Sequence, residues 1–144
     1  MLEWYNGRAQ MADFRVYYDA ANALIHGDTL YGKAFGVSSG FYKYSPFACI
    51  PFIPLALLPY GIASVVYYLL TTAAIICFSL RVSKVVSGTE TLNTLTLPIL
   101  TGLFLIDHLE RELHLGNINL LLLIALFESY ILLKSNRNQK GGAL

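Results

Sequence analysis

The sequence predicts an all-α fold: multispanning transmembrane helices, an outer-face amphipathic helix, and a proline-rich interfacial or re-entrant segment. Three observations predict it. Residues 45–80 carry no charged side chain. The composition is 56% hydrophobic and only 13% charged, with a mean hydropathy of +0.55, shifted from that of a soluble domain of this size. The apolar residues also come in long blocks rather than in short alternating ones, the pattern of membrane crossings. A net charge of +1 gives no global electrostatic case for nucleic acid, and none is expected as a partner.

Residues 1–44 form a polar head, expected as an extracytoplasmic loop. Within it, residues 12–26 place Phe14, Tyr17, Tyr18, Ala21, Leu24 and Ile25 on one helical face, with Arg15, Asp19, Asn22 and His26 opposite. Gly27 is a natural stop, and the aperiodic stretch after it reads as a loop. Aromatic residues at 41, 42, 44 and 47 surround Lys43, as side chains do at a headgroup boundary.

The uncharged run divides at Pro59. Residues 45–59 contain Pro46, Pro51 and Pro54, and a helix over 46–58 would reach only about 20 Å against a hydrocarbon core of about 30 Å. That segment is expected to be interfacial or re-entrant. Residues 60–80 form the clearest span, followed by Arg81 and Lys84. Residues 91–106 are a second span with Pro98 as its expected kink, and 115–133 a third, interrupted by Glu128. A basic tail, 134–144, follows. The two basic segments lie two crossings apart and so on one side, cytoplasmic by the positive-inside rule. This puts the head and the insert DHLERELH outside. The head shows no signal peptide, so a spanning helix is expected before Met1 and the chain reads as a fragment of a longer multi-pass cell-membrane protein. Cys49 and Cys77 sit in apolar runs and read as packing residues.

Three strings, DFRVYYDAANALIHGDTLYG, then FYKYSPF followed by IPLALLP, and later HLGNINLLLL, resemble in order and spacing the polyprenol-phosphate-mannose-dependent alpha-mannosyltransferases, catalogued as glycosyltransferase family eighty-seven. The resemblance covers about residues 12–134. These are multispanning enzymes of the C-type superfamily, typically far longer than this chain. It implies transfer of a hexosyl group, commonly mannosyl, from a polyprenyl phosphate sugar to an acceptor hydroxyl of a glycan or glycolipid on the outer face. Membrane lipid is then the surroundings, the lipid-phosphate sugar is the donor, and no cofactor is required. An aspartate in the first outer loop is the general base in such enzymes, and Asp13 matches it.

The chemistry asks for one carboxylate. An acceptor hydroxyl must lose its proton as it attacks the anomeric carbon, while the phosphate leaves from the opposite face with little need of protonation. Asp13, at the start of the amphipathic helix, reads from its position as an N-cap; the resemblance favours the base. Asp19 is the runner-up, but it lies four residues from Arg15, where an ion pair is the default. Arg15 and Lys43 are the candidate cations for the departing phosphate, with a snorkelling anchor as the alternative for Lys43. In the GNIN string, Asn117 and Asn119 could bind a sugar hydroxyl or phosphate oxygen, or simply cap a helix. The family usually has glutamine at the position of Asn117, whereas Asn119 matches. In the outer insert Asp107, Arg111 and His114 share a face and read as solvated, and Glu128 reads as reaching headgroups. His108 and His114 are not at the i, i+4 spacing of a helical zinc pair, so no metal is expected. Two rivals are a small noncatalytic membrane scaffold and a transporter fragment. A transporter would place ionisable groups near mid-membrane, and here they gather outside.

Overall fold

The computed structural model describes residues 11–35, 40–87 and 91–141. The first ten residues of the head and the last three of the tail lie outside the described residues, as do 36–39 and 88–90. Among those described, the chain is all-helical, with one isolated bridge, Ala34 to Phe41, closing a loop.

Helix α1, Ala12–His26, forms where the apolar periodicity places it. Met11 is its N-cap residue, in a left-handed conformation at φ 39°, with no side-chain capping bond. Asp13 is therefore in the first turn and does not cap, although a carboxylate there still complements the positive helix end. Gly27 ends the helix at φ 72°, where its N–H reaches the carbonyls of Ala23 and Leu24. Phe14, Tyr17, Tyr18 and Ala21 are buried as the pattern predicts, and so are Ala20 and Ala23. Ile25 is 42% exposed, because it comes in the last turn, beyond the segment that α1 packs on.

That segment is a 3-10 helix, Pro46–Phe52, running into a short helix α2, Ile53–Ala56. At about 2.0 Å per residue in the 3-10 part and about 1.5 Å in the α part, it is about 20 Å long. Helix α3, Tyr60–Ser87, continues past Arg81 and Lys84 since nothing in RVSKVVS breaks it. It is long and apolar enough to cross a membrane, and only 22% of its apolar window is buried within the molecule. Its hydroxyls turn inward on its own backbone: Ser64 donates to the Gly61 carbonyl, Thr71 to Tyr67, Thr72 to Tyr68 and Ser79 to Ile75, at 2.8 to 2.9 Å. An apolar solvent demands this internal satisfaction.

Helix α4, Thr91–Phe104, runs through Pro98, and its break falls at Leu105 instead. The insert expected as an outer loop is a helix, α5, Ile106–Leu115, and α6 follows as Asn119–Gly141. The turn between α5 and α6 bends by 112°. The contacts Tyr67–Asn117, Phe78–Phe127 and Arg81–Glu128 rise in step along both chains, so α3 and α6 run parallel. Arg81 and Lys84 in the last turns of α3 and Lys134 of α6 consequently share one end of the molecule. The core gathers at the other end around fully buried Phe14, whose ring stacks on Tyr67 at 4.4 Å and lies 6.0 to 6.4 Å from Tyr18, Phe52 and Tyr60.

Candidate active site

The three strings singled out by the sequence converge on the first turn of α1. Gly116 closes α5 in a left-handed conformation at φ 67°, its N–H bonding back to Glu112 and Leu113. A Cβ on it would lie 2.7 Å from the Phe14 Cβ and 3.0 Å from the Met11 methyl. Both requirements select glycine, and they seat the GNIN turn against the backbone beside Asp13. From the other side, Tyr17 donates to the Tyr44 hydroxyl across 3.4 Å, bringing FYKYSPF onto the same face. From below, Tyr67 stacks on Phe14 and donates to the Asn117 carbonyl at 3.2 Å.

Asp13 is half-buried in this setting. Burial raises its carboxyl above the ordinary value, because desolvation penalises the charged form. Tyr17 and Tyr67 lie within its electrostatic reach. Burial, aided by the contact with Tyr44, also pushes the Tyr17 hydroxyl well above its usual range, which keeps it a proton donor. A carboxylate with a raised pKa at the edge of a buried aromatic floor is suited to accept a proton.

The other predicted residues divide. At about 100° per residue, Asp19 and Arg15 lie about 120° and 160° around the helix from Asp13. Arg15 Nε donates to Asp19 Oδ2 at 2.9 Å, and its guanidinium sits 4.2 Å above the Tyr60 ring. The hydrogen bond to Asp19 raises the Arg15 pKa. These two form an i, i+4 pair that frames α1 against the top of α3, on a face Asp13 does not share. Lys43 is exposed on the strap between buried Tyr42 and exposed Tyr44. Asn117 Oδ1 accepts the backbone N–H of Asn119 at 3.3 Å, so this oxygen caps α6, while its carbonyl takes the Tyr67 hydroxyl. The Asn119 side chain faces a different space, a cavity of about 350 Å³ between α3, α4, α5 and α6. Glu128 lies well inside α6 and forms a two-pronged ion pair with Arg81, at 2.6 and 3.1 Å.

Sequence reasoning missed Tyr67 and Glu112. Tyr67 lies in an apolar helix, where an aromatic residue carries no signal of its own. Glu112 was passed over as part of a charged insert, yet Leu105, His108, Leu109 and Glu112 all line the cavity. Their i, i+3, i+4, i+7 spacing is that of one helical face and could have singled it out.

With this geometry established, comparison with known proteins places the chain. The profile described as Glycosyltransferase family 87 matches residues 41–144. The chain belongs to that family. It is also 30% identical over 123 residues to a polyprenol-phosphate-mannose-dependent alpha-(1-2)-phosphatidylinositol pentamannoside mannosyltransferase of Mycobacterium tuberculosis (strain CDC 1551 / Oshkosh), across 81% of this chain and 28% of that protein. The chain thus spans little more than a quarter of the length of this curated relative. No solved structure matches it. The family profile begins at Phe41, so the GNIN turn and Lys43 lie within the match and Asp13, Arg15 and Asp19 lie before it.

Proposed function

We propose that this chain carries the acceptor-activating part of a multi-pass membrane glycosyltransferase. The enzyme moves a hexosyl group, mannosyl by analogy with the relative, from a polyprenyl phosphate to a hydroxyl of a glycan or glycolipid on the outer face. The observation that carries the proposal is the half-buried Asp13 at the junction of DFRVYY, FYKYSPF and GNIN. Asp13 takes the proton of the acceptor hydroxyl as that oxygen attacks the anomeric carbon. The carbon–oxygen bond to the lipid phosphate breaks on the opposite face, so the displacement inverts the anomeric centre. Lys43, at the membrane boundary, offsets charge on the departing phosphate. The activated sugar arrives on its carrier, and the proposal invokes no further cofactor.

In the proposed topology α3 crosses outward-to-inward, α4, only about 21 Å long, returns with the bilayer thinned around it, α5 lies along the outer surface and α6 crosses inward again, with the 46–56 segment lying at the outer interface. The parallel course of α3 and α6 supports it, as does the gathering of Arg81, Lys84 and Lys134 at one end. The exposed apolar residues of α4 and α6, among them Leu103, Phe104, Leu126 and Leu132, then face lipid.

The test uses membranes from cells expressing the complete gene product. Labelled mannose should pass from polyprenyl phosphate mannose to a glycolipid acceptor, and nucleotide-linked mannose should not replace the lipid donor. Equal transfer from both donors would contradict the proposal.

A further inference from the structure

The cavity between α3, α4, α5 and α6 has two parts of opposite character. Ile75, Phe78, Val82, Leu109, Leu120 and Leu123 make most of its wall, and Glu112, His108 and Asn119 bring polar groups to it from α5 and the start of α6. Glu112 stands out because its Oε2 is buried with no hydrogen-bond partner among the described residues. A buried carboxylate oxygen without a partner costs free energy, and such groups are kept where a ligand satisfies them. Glu112 belongs to the same assembly as Asp13: its carbonyl accepts the N–H groups of Gly116 and Asn117, and the Tyr67 hydroxyl lies within electrostatic reach of both carboxylates. Asp13 and Glu112 thus share Tyr67 as a neighbour.

Resting on the glycosyltransferase reading, we infer that Glu112 is a donor-positioning residue, whose carboxylate accepts a hydrogen bond from a ring hydroxyl of the lipid-linked hexose while the apolar wall holds the first part of the isoprenoid chain. The chemistry of the cavity selects this occupant. A carboxylate and an amide lining one cavity suit a sugar's hydroxyls, and a wall of aliphatic residues suits a hydrocarbon and not a nucleotide. About 350 Å³ holds a hexose with little more than its nearest carrier atoms, so the polar end takes the sugar and the remaining chain leaves between the helices into lipid. A change of the Glu112 side-chain rotamer, with the backbone fixed, is what brings this carboxylate oxygen to a ligand in the cavity.

Kinetics on the complete gene product test this. Glu112→Gln keeps the size and one acceptor oxygen and should raise KM for polyprenyl phosphate mannose about tenfold, leaving KM for the acceptor and the pH of the acid limb unchanged. Removing the hydroxyl partner should be equivalent: donors deoxygenated at single ring positions should lose affinity with the wild type at one position, and Glu112→Gln should lose nothing further with that analogue. Glu112→Asp, which keeps the charge one methylene shorter, separates positioning from folding, since a folding role would lower the yield of all variants together. Normal donor KM in Glu112→Gln would overturn the inference while leaving the transferase reading intact. Failure of the wild type to use any polyprenyl phosphate hexose would overturn both.

Discussion

At the scale of the residue, Asp13 and Gly116 do the most specific work. Because burial raises the Asp13 carboxyl, its base form appears only at higher pH than for a solvent-exposed aspartate. The pH profile of kcat/KM should therefore show an acid limb above that of an ordinary exposed aspartate, rising as pH rises, and a limb at or below the exposed value would contradict the desolvated setting. The sign for stability is opposite. A raised folded-state pKa means the native chain holds its proton more tightly than the unfolded one. Asp13 then contributes stability below its unfolded pKa and loses it as pH rises through the folded pKa. Gly116→Ala should lower the thermal stability of the protein in detergent. The left-handed backbone costs a non-glycine residue about 1–2 kcal/mol, and the 2.7 Å approach to Phe14 adds to it. An unchanged melting temperature would show that the GNIN turn is not seated as described.

Elements show where a sequence speaks plainly and where it does not. Helix α1 was legible to the residue, because a 3.6-residue apolar period with a glycine stop has one solution, and only Ile25 faces outward against that pattern. The insert DHLERELH reads as a solvated loop from its charges, although the one-face spacing of Leu105, His108, Leu109 and Glu112 marks a helix; only its packing against α1 and α3 is invisible to a local pattern. Pro98 was expected to bend its helix, yet the break falls at Leu105, whose successor opens a new amphipathic face. The Arg81–Glu128 pair illustrates the same limit, since 47 positions separate partners whose meeting depends on α3 and α6 running parallel. About 31 Å of helix lies between Tyr60 and Arg81, which puts the pair near the far edge of a hydrocarbon layer of about 30 Å. Arg81→Leu alone, and Glu128→Leu alone, should each lower the protein's stability more than the double replacement does, measured as a double-mutant cycle. Additive losses would show that the pair does not join the helices.

At the scale of the whole molecule, the proposed topology puts two surfaces on opposite sides of a membrane. Cysteines introduced at Thr29, exposed in the head, and at Lys134, exposed at the other end of α6, in a background lacking Cys49 and Cys77, should react with an impermeant thiol reagent from opposite sides of intact cells. Thr29 is the site expected to label without permeabilisation. The sequence alone pointed to Asp13 and to the GNIN turn through their resemblance to known transferases. The separation of Arg15 and Asp19 onto another stripe was legible as well, from the helical period alone. What the sequence could not supply was the floor of Tyr67, Phe14 and Tyr17 that brings the strings together, because that depends on side-chain directions set by tertiary packing.

The most direct test of the central claim is the rate of mannosyl transfer by the complete gene product carrying Asp13→Asn, with polyprenyl phosphate mannose as donor. The amide preserves shape and one acceptor oxygen but cannot accept the proton, so transfer should fall by about 10²- to 10⁴-fold while expression, melting temperature and donor binding hold. Transfer within about twofold of the wild type would contradict the assignment of Asp13 as the base.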